Sequence, residues 1–344
     1  MKKKTISKMA RVSRMFLVLG LVCGVAPVLA AESPEEFYRG KTIALYTGSI
    51  GGSADSLCRA LAPFLQKETG AKVIVANHPG GNSMQTVNLA YKKKPDGLIL
   101  LVHETSGIIL SDWFEDPGAV WKAANFNWIA RVAFQPGIAV VSPQSPYRSI
   151  DDLRKAKGLK LGASTPMGYY GPVNSLFASI LNLDAQVITG LKGTSGIVLS
   201  IQKGEIDGGA LSEDRAAVSA KGNQVRPLFV VSGESALFPD LPVLDKVVKL
   251  TQDQELVLDA VATVNKAIVT TPGVPMDRVD FLRKTIHKIT QNKSIQKVLM
   301  EKTGIAGWYG YVPGETVQKN MADPSIGPRV RKTLEAILSR YLVR

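Results

Sequence analysis

From residue 41 onward, strand and helix signals alternate along this chain. That alternation limits the possible folds more than any other feature. "KTIALYTG" (41–48) is a short apolar run suited to a buried strand, and "SADSLCRALAPFLQKETG" (53–70) carries Leu57, Leu61, Phe64 and Leu65 at helical spacing. "KVIVANHPGG" (72–81) reads as a strand and turn. "NSMQTVNLAYKKKPDG" (82–97) reads as a helix closed by a Pro-Asp-Gly turn, and "LILLVHETSG" (98–107) as a third strand. A βαβαβ order predicts a parallel sheet with helices on its faces. Pro63 lies within the first long helix, where a missing N–H predicts a kink or a later start.

The theme repeats further on. "PGIAVVSP" (136–143), "LKLGAST" (159–165), "AQVITG" (185–190), "EIDGGAL" (205–211) and "VRPLFVVSG" (225–233) read as strands. The helices between them are "SIDDLRKAKG" (149–158), with Ser149 as its cap, "YYGPVNSLFASILNL" (169–183) and "TSGIVLSIQKG" (194–204). "SALFPDLPVL" (235–244) reads as a loop. The rest of the chain reads as mostly helical, over Val279–Gln291, Ile295–Thr303 and Arg329–Tyr341. The long middle unit suggests an insertion, with crossings near Ala133–Ile138 and Leu228–Gly233. The expected architecture is α/β: two α/β lobes joined by a hinge, one built from 31–133 and 234–344, the other from 134–233. Ligands of open α/β sheets sit at the carboxyl ends of strands, so two facing units predict a cleft site.

The first thirty residues fall outside this pattern. "MKKKTISKMARVSR" is basic, "MFLVLGLVCGVAPVLA" is short and apolar, and Val28-Leu29-Ala30 suits a signal peptidase. Residues 1–30 are therefore expected to be a cleaved signal peptide, which predicts export to the periplasm. Cys23 follows Val22, where a lipoprotein signal needs a small residue. The mature chain would hold about 314 residues, enough for two domains. Its formal charge would fall from +13 to +7, because the leader carries six basic residues and no acids. That charge is dispersed, without basic runs interleaved with aromatics, which argues against nucleic acid and leaves small anions plausible partners. Cys58 alone survives processing and is expected to be a buried apolar residue.

One glycine-rich turn stands out. "YTGSIGGSADSLCR" (46–59) joins the first strand to its helix through Thr47, Gly48, Ser49, Ile50, Gly51, Gly52 and Ser53. Free N–H groups at a helix start, with the helix dipole behind them, suit a carboxylate or phosphate. No lysine follows the turn as in a nucleotide loop, and the dinucleotide spacing is absent. Alone, the turn is as consistent with tight packing as with a ligand. "NHPGGNS" (77–83), "GASTPMGYYGP" (162–172) and "GLKGTSG" (190–196) open further helices in the same manner. Asp55, in the first turn of its helix, is expected to point back and cap it.

Catalysis finds little support. The three histidines are scattered, no nucleophile elbow occurs, and no Cys/His spacing suggests a metal. His78 and His103 each end a strand and are expected to be structural or pocket hydrogen-bonders. His287 falls on a polar helix face. Trp113, Phe114, Trp121, Phe126 and Trp128 are expected to pack near the hinge rather than form a ligand cage. No cofactor is expected.

The order of these pieces resembles the periplasmic solute-binding proteins of the tripartite tricarboxylate transporters, the Bug-type receptors. The matching stretches are "FYRGKTIALYTGSIGGSADSLCRALAPFLQKETGAKVIVANHPGGNS", "KPDGLILL", "PGIAVVSPQSPYRSIDDLRKAKG", "LGASTPMGYYGP", "KGEIDGGAL" and "FPDLPVL". Together they span essentially the whole mature chain. The resemblance implies a type II periplasmic-binding-protein fold that closes on a small organic acid, and a monomer that docks on large and small membrane subunits. It implies that a carboxylate is held by the loop Thr47–Ser53 and by Ser164, Thr165, Met167, Gly168, Tyr169 and Tyr170, with Ser106 and Gly193–Ser195, Thr194 among them, as further contacts. Tyr169 and Tyr170 depart from the family pattern, where small residues are typical, and Tyr46 and Thr47 stand where a proline is usual. Two rivals remain at this stage: a receptor feeding a sensor, and an enzyme on a similar fold.

Overall fold

The protein is described here by a computed structural model covering residues 32–48, 50–51, 53–261, 263–303 and 311–343. Residues 1–31, with the expected signal peptide, Ser49 and Gly52 lie outside the described residues. After α1 (Pro34–Tyr38), strands β1 (Thr42–Thr47), β2 (Lys72–Asn77) and β3 (Ile99–Glu104) pair in parallel with β1 in the middle. Helices α2 (Ser53–Thr69) and α3 (Met84–Tyr91) connect them, as the βαβαβ pattern requires. Pro63 sits inside α2, ten residues after its start.

Helix α4 (Thr105–Trp113) leads to β4 (Asn127–Val141), a strand of 15 residues that joins the two halves of the sheet. Its first part, from Asn127 to Pro136, pairs antiparallel with β9 (Thr263–Thr270), and its last part, from Gly137, pairs with β7 (Gly208–Ser212) and β8 (Arg226–Val230). Near the end of the first part, between Val132 and Gln135, the register slips and Ala133 adopts φ 56°, the left-handed region. Such a bulge bends the strand where it changes partners.

The middle unit contains α5 (Ile150–Lys155), β5 (Leu159–Gly162), α6 (Tyr170–Ile180), β6 (Ala185–Ile188), α7 (Gly193–Gln202) and α8 (Glu213–Lys221). Strand β5 pairs in parallel with β6 and β7. Ser149 caps α5, its hydroxyl accepting the N–H of Asp152 at 3.2 Å. The remaining elements are α9 (Leu244–Val247), α10 (Gln252–Val261), α11 (Met276–Gln291), α12 (Lys293–Thr303), β10 (Val312–Pro313), α13 (Gly314–Ala322) and α14 (Ile326–Tyr341).

Two features depart from the sequence expectations. The segment 263–270, grouped with a mostly helical tail, is a central strand flanked by β3 and β4. The division that places 234–344 with the first unit stays a proposal. Within that segment, Val257 and Leu258 of α10 and Val330 and Leu334 of α14 enter one core with Leu176 and Phe177 of α6. On the other half of the sheet, α2, α11 and α12 cover one face, while Trp121, Phe126 and Trp128 fill the other with α3 and α4. Cys58 is fully buried and His287 is exposed. Among the described residues, no helix is long and apolar enough to cross a membrane.

Candidate functional site

The carboxyl ends of β3 and β5 open onto one cleft of about 280 Å³. Its first wall comes from the end of β3 and the start of α4: His103, Glu104, Ser106, Gly107 and Ser111. Ser83, Met84 and Val87 of the α3 start, with Asp116 and Trp121, complete that wall. The opposite wall is the loop before α6 and its first residue: Ser164, Thr165, Met167, Gly168, Tyr169 and Tyr170. Helix starts with small hydroxyl side chains therefore face each other, an arrangement suited to an anionic group.

The middle-unit wall is held by its own hydrogen bonds. Gly168 N–H donates to Thr165 Oγ1 at 2.9 Å, folding the loop back on itself. The fully buried Asn174 donates to the Gly162 carbonyl at 2.8 Å and accepts from Ala210 N–H at 2.7 Å, locking α6 to β5 and β7. The rings of Tyr169 and Tyr170 meet edge to face at 5.1 Å, and the Tyr170 hydroxyl lies 3.0 Å from Thr194 Oγ1. Burial, reinforced by the Glu104 carboxylate, pushes both phenols above their ordinary range, so they remain O–H donors at neutral pH.

Glu104 is the most consequential side chain that sequence reasoning passed over. Its Oε1 lies 2.6 Å from Nζ of Lys266, which is 1% exposed and stands opposite Glu104 on β9. Glu104 itself keeps 38% of its side chain accessible. Beside it, burial lowers the pKa of His103, which stays neutral and donates from Nδ1 to the Glu104 carbonyl at 2.9 Å. The signal in the sequence was its position, a carboxylate ending a strand just before a helix start. Ser83 and Trp121 were also missed as cleft residues. Trp121 is largely in the core, its indole N–H donating to the Ile108 carbonyl at 2.8 Å.

Of the first glycine-rich loop, the described residues Thr47, Gly48, Ile50, Gly51 and Ser53 are not among those lining the cavity. Thr47 is fully buried beneath the loop, and Ile50, at 73% exposure, points to solvent. Gly51 is turned at φ 70° and donates its N–H to Asp55 Oδ2 at 2.9 Å, while Ser53 opens α2 on the surface. Asp55 does cap the loop. Burial opposes its charge, but hydrogen bonds from Asn77, Gly51 and Arg59 outweigh that and hold its carboxyl below the usual range. Gly48 is the loop's link to the cleft, because it packs against Ser83 so closely that a Cβ there would lie 2.3 Å from the Ser83 Cβ. Ser49 and Gly52 lie outside the described residues.

A second, larger groove of about 860 Å³ runs along α14 beside Lys332, Glu335 and Leu338, sharing Met167 with the cleft. Alongside α14 it is lined by Phe114, Thr189 and the Pro166–Met167 edge of the loop before α6, with no second hydroxyl-bearing helix start opposite among the described residues. The cleft is therefore the better candidate site despite its smaller volume.

No family model matches the chain. The chain is similar to Protein BugT of Bordetella pertussis, with 21% identity over 238 residues, covering 67% of this chain and 73% of that one. Among solved structures, a TctC solute binding protein from Polaromonas superposes with TM-score 0.69 at 19% identity, covering 88% of this chain and 99% of the other. A protein of R. palustris solved with adipate superposes with TM-score 0.66 at 17% identity, covering 88% and 99%. The chain is thus similar in sequence to Protein BugT and shares the fold of the TctC solute binding protein and of the R. palustris protein.

Proposed function

We propose that the protein is an exported, non-catalytic solute-binding protein that captures a small organic carboxylate and delivers it to a tripartite tricarboxylate-type membrane transporter. The observation that carries this reading is the cleft itself, where hydroxyl-bearing helix starts from two sheet halves converge on a space sized for a small acid. The fold shared with the adipate-bound R. palustris protein supports it. In this account residues 1–30 direct the chain to the periplasm and are removed. The monomer then closes on its ligand by bending at β4 and docks in that state on the large and small membrane subunits. Ser106, Ser164, Thr165, Gly168, Tyr169 and Tyr170 hold the ligand, Thr194 orients Tyr170, and the Thr47–Ser53 loop braces Ser83 through Gly48.

A thermal-melt panel on the chain from Ala31 onward tests the reading. The panel holds aliphatic and aromatic acids, amino acids, phosphate and neutral sugars. A ligand at a hundred times its Kd stabilises by about 2.7 kcal/mol, a shift of several degrees. A selective shift with one class of acid supports acid capture. A shift with a sugar or phosphate and none with any acid refutes it.

A further inference from the structure

Among the described residues, the cleft lining carries two carboxylates, Glu104 and Asp116, and neither a lysine nor an arginine. The charge that balances Glu104 lies behind the wall rather than in the cavity. Lys266 is 1% exposed, reaches Glu104 Oε1 at 2.6 Å, and is held on the neighbouring strand directly opposite it. That contact fixes the carboxylate and occupies one oxygen, while the accessible part of the side chain faces the cleft. The rim carboxylate Asp116 accepts the nearby Gly118 N–H at 3.1 Å. Across the space stand the rings of Tyr169 and Tyr170, whose faces attract cations and whose hydroxyls stay protonated. A ligand with carboxylates at both ends would place one of them against Glu104 with no cation in the lining to offset it. A ligand with an ammonium at that end would find a fixed acceptor and an aromatic face.

Resting on the acid-capture reading above, we propose that the ligand is a zwitterion, its carboxylate held at the helix starts and its amine received by Glu104. The specificity of the site would then lie in the end of β3 rather than in the glycine-rich loops.

Calorimetric titration of the mature chain with matched pairs tests this: adipate against 6-aminohexanoate, and glutarate against glutamate. In the first pair an aminomethyl group replaces one terminal carboxylate on the same carbon skeleton, and in the second an α-amine is added while both carboxylates stay. The expected result is at least ten-fold tighter binding of an amine-bearing member in one pair, with the preference erased in Glu104→Gln. Because Glu104→Gln strips the buried Lys266 of its partner, the double variant Glu104→Gln/Lys266→Met is measured beside it and removes both charges together. Tighter binding of the diacids by wild type, or an amine preference that survives in the folded double variant, overturns the proposal. Binding of neither kind of acid, with a sugar or phosphate bound instead, overturns acid capture and this inference with it.

Discussion

The hydroxyl of Tyr170 lies 3.0 Å from that of Thr194, tying the first residue of α6 to the first turn of α7. A neutral hydrogen bond of this kind contributes about 1 kcal/mol. Tyr170→Phe and Thr194→Val are each expected to weaken acid binding roughly five-fold. If the bond is the shared cause, the double variant is no weaker than either single one, which a double-mutant cycle measured by calorimetry checks.

Gly48 and Ser83 form the contact between the first glycine-rich loop and the cleft. A methyl at Gly48 would meet Ser83 Cβ at 2.3 Å and Cα at 2.8 Å, and Ser83 already stands at φ 70°. Gly48→Ala is expected to cost about 1–3 kcal/mol by overpacking. Adding Ser83→Gly removes the side chain and suits the backbone, so the pair is expected to recover part of the loss. Midpoints of urea unfolding measure both.

The bend between the sheet halves rests on two left-handed residues. Gly233 has φ 77° and leaves no room for a Cβ, which would lie 2.9 Å from the Phe134 ring. Ala133 has φ 56° within β4. Gly233→Ala is expected to destabilise by about 1–3 kcal/mol through strain and crowding together. Ala133→Gly relieves strain but frees the unfolded chain, so its net effect is expected to stay within about 1 kcal/mol. Equal losses at both positions would contradict this account of the bend.

His103 gives the fold an acid sensitivity with a definite sign. Burial holds its pKa below 6.5 in the folded protein, so the unfolded chain takes up the proton first. Stability from this group is complete above about pH 7 and declines as pH falls through about 6.5. His103→Gln is expected to flatten that part of the profile, measured by denaturant unfolding between pH 7.5 and 5.

The elements that were legible in the sequence are those whose pattern is local. The strands β1, β2 and β3 are apolar runs cut by glycine and proline, and they fold as that pattern requires. Strand β9 escaped because Asn265 and Lys266, both buried, interrupt its apolar run. Lys266 can be buried there only because Glu104, 162 residues earlier, pairs with it, and such a partnership leaves no local mark. The first part of β4 was hidden in the same way by Arg131 and by the break at Phe134-Gln135-Pro136. In the cleft, the Ser164–Tyr170 loop was visible as a hydroxyl- and glycine-rich helix start, while Ser106 was reached only through the family resemblance. The first loop shows the same chemistry, and among its described residues Gly48 packs against Ser83 of the cleft wall.

The central claim is that acid binds between the starts of α4 and α6 and not in the larger groove along α14. Calorimetric titration of the acid giving the largest melting shift, into wild type, Ser164→Asp and Ser339→Asp, tests it most directly. The account predicts that Ser164→Asp, which places a like charge in the cleft, abolishes binding, while Ser339→Asp, on the groove, leaves it at the wild-type value. Unimpaired binding by a folded Ser164→Asp protein, with loss in Ser339→Asp, would contradict it.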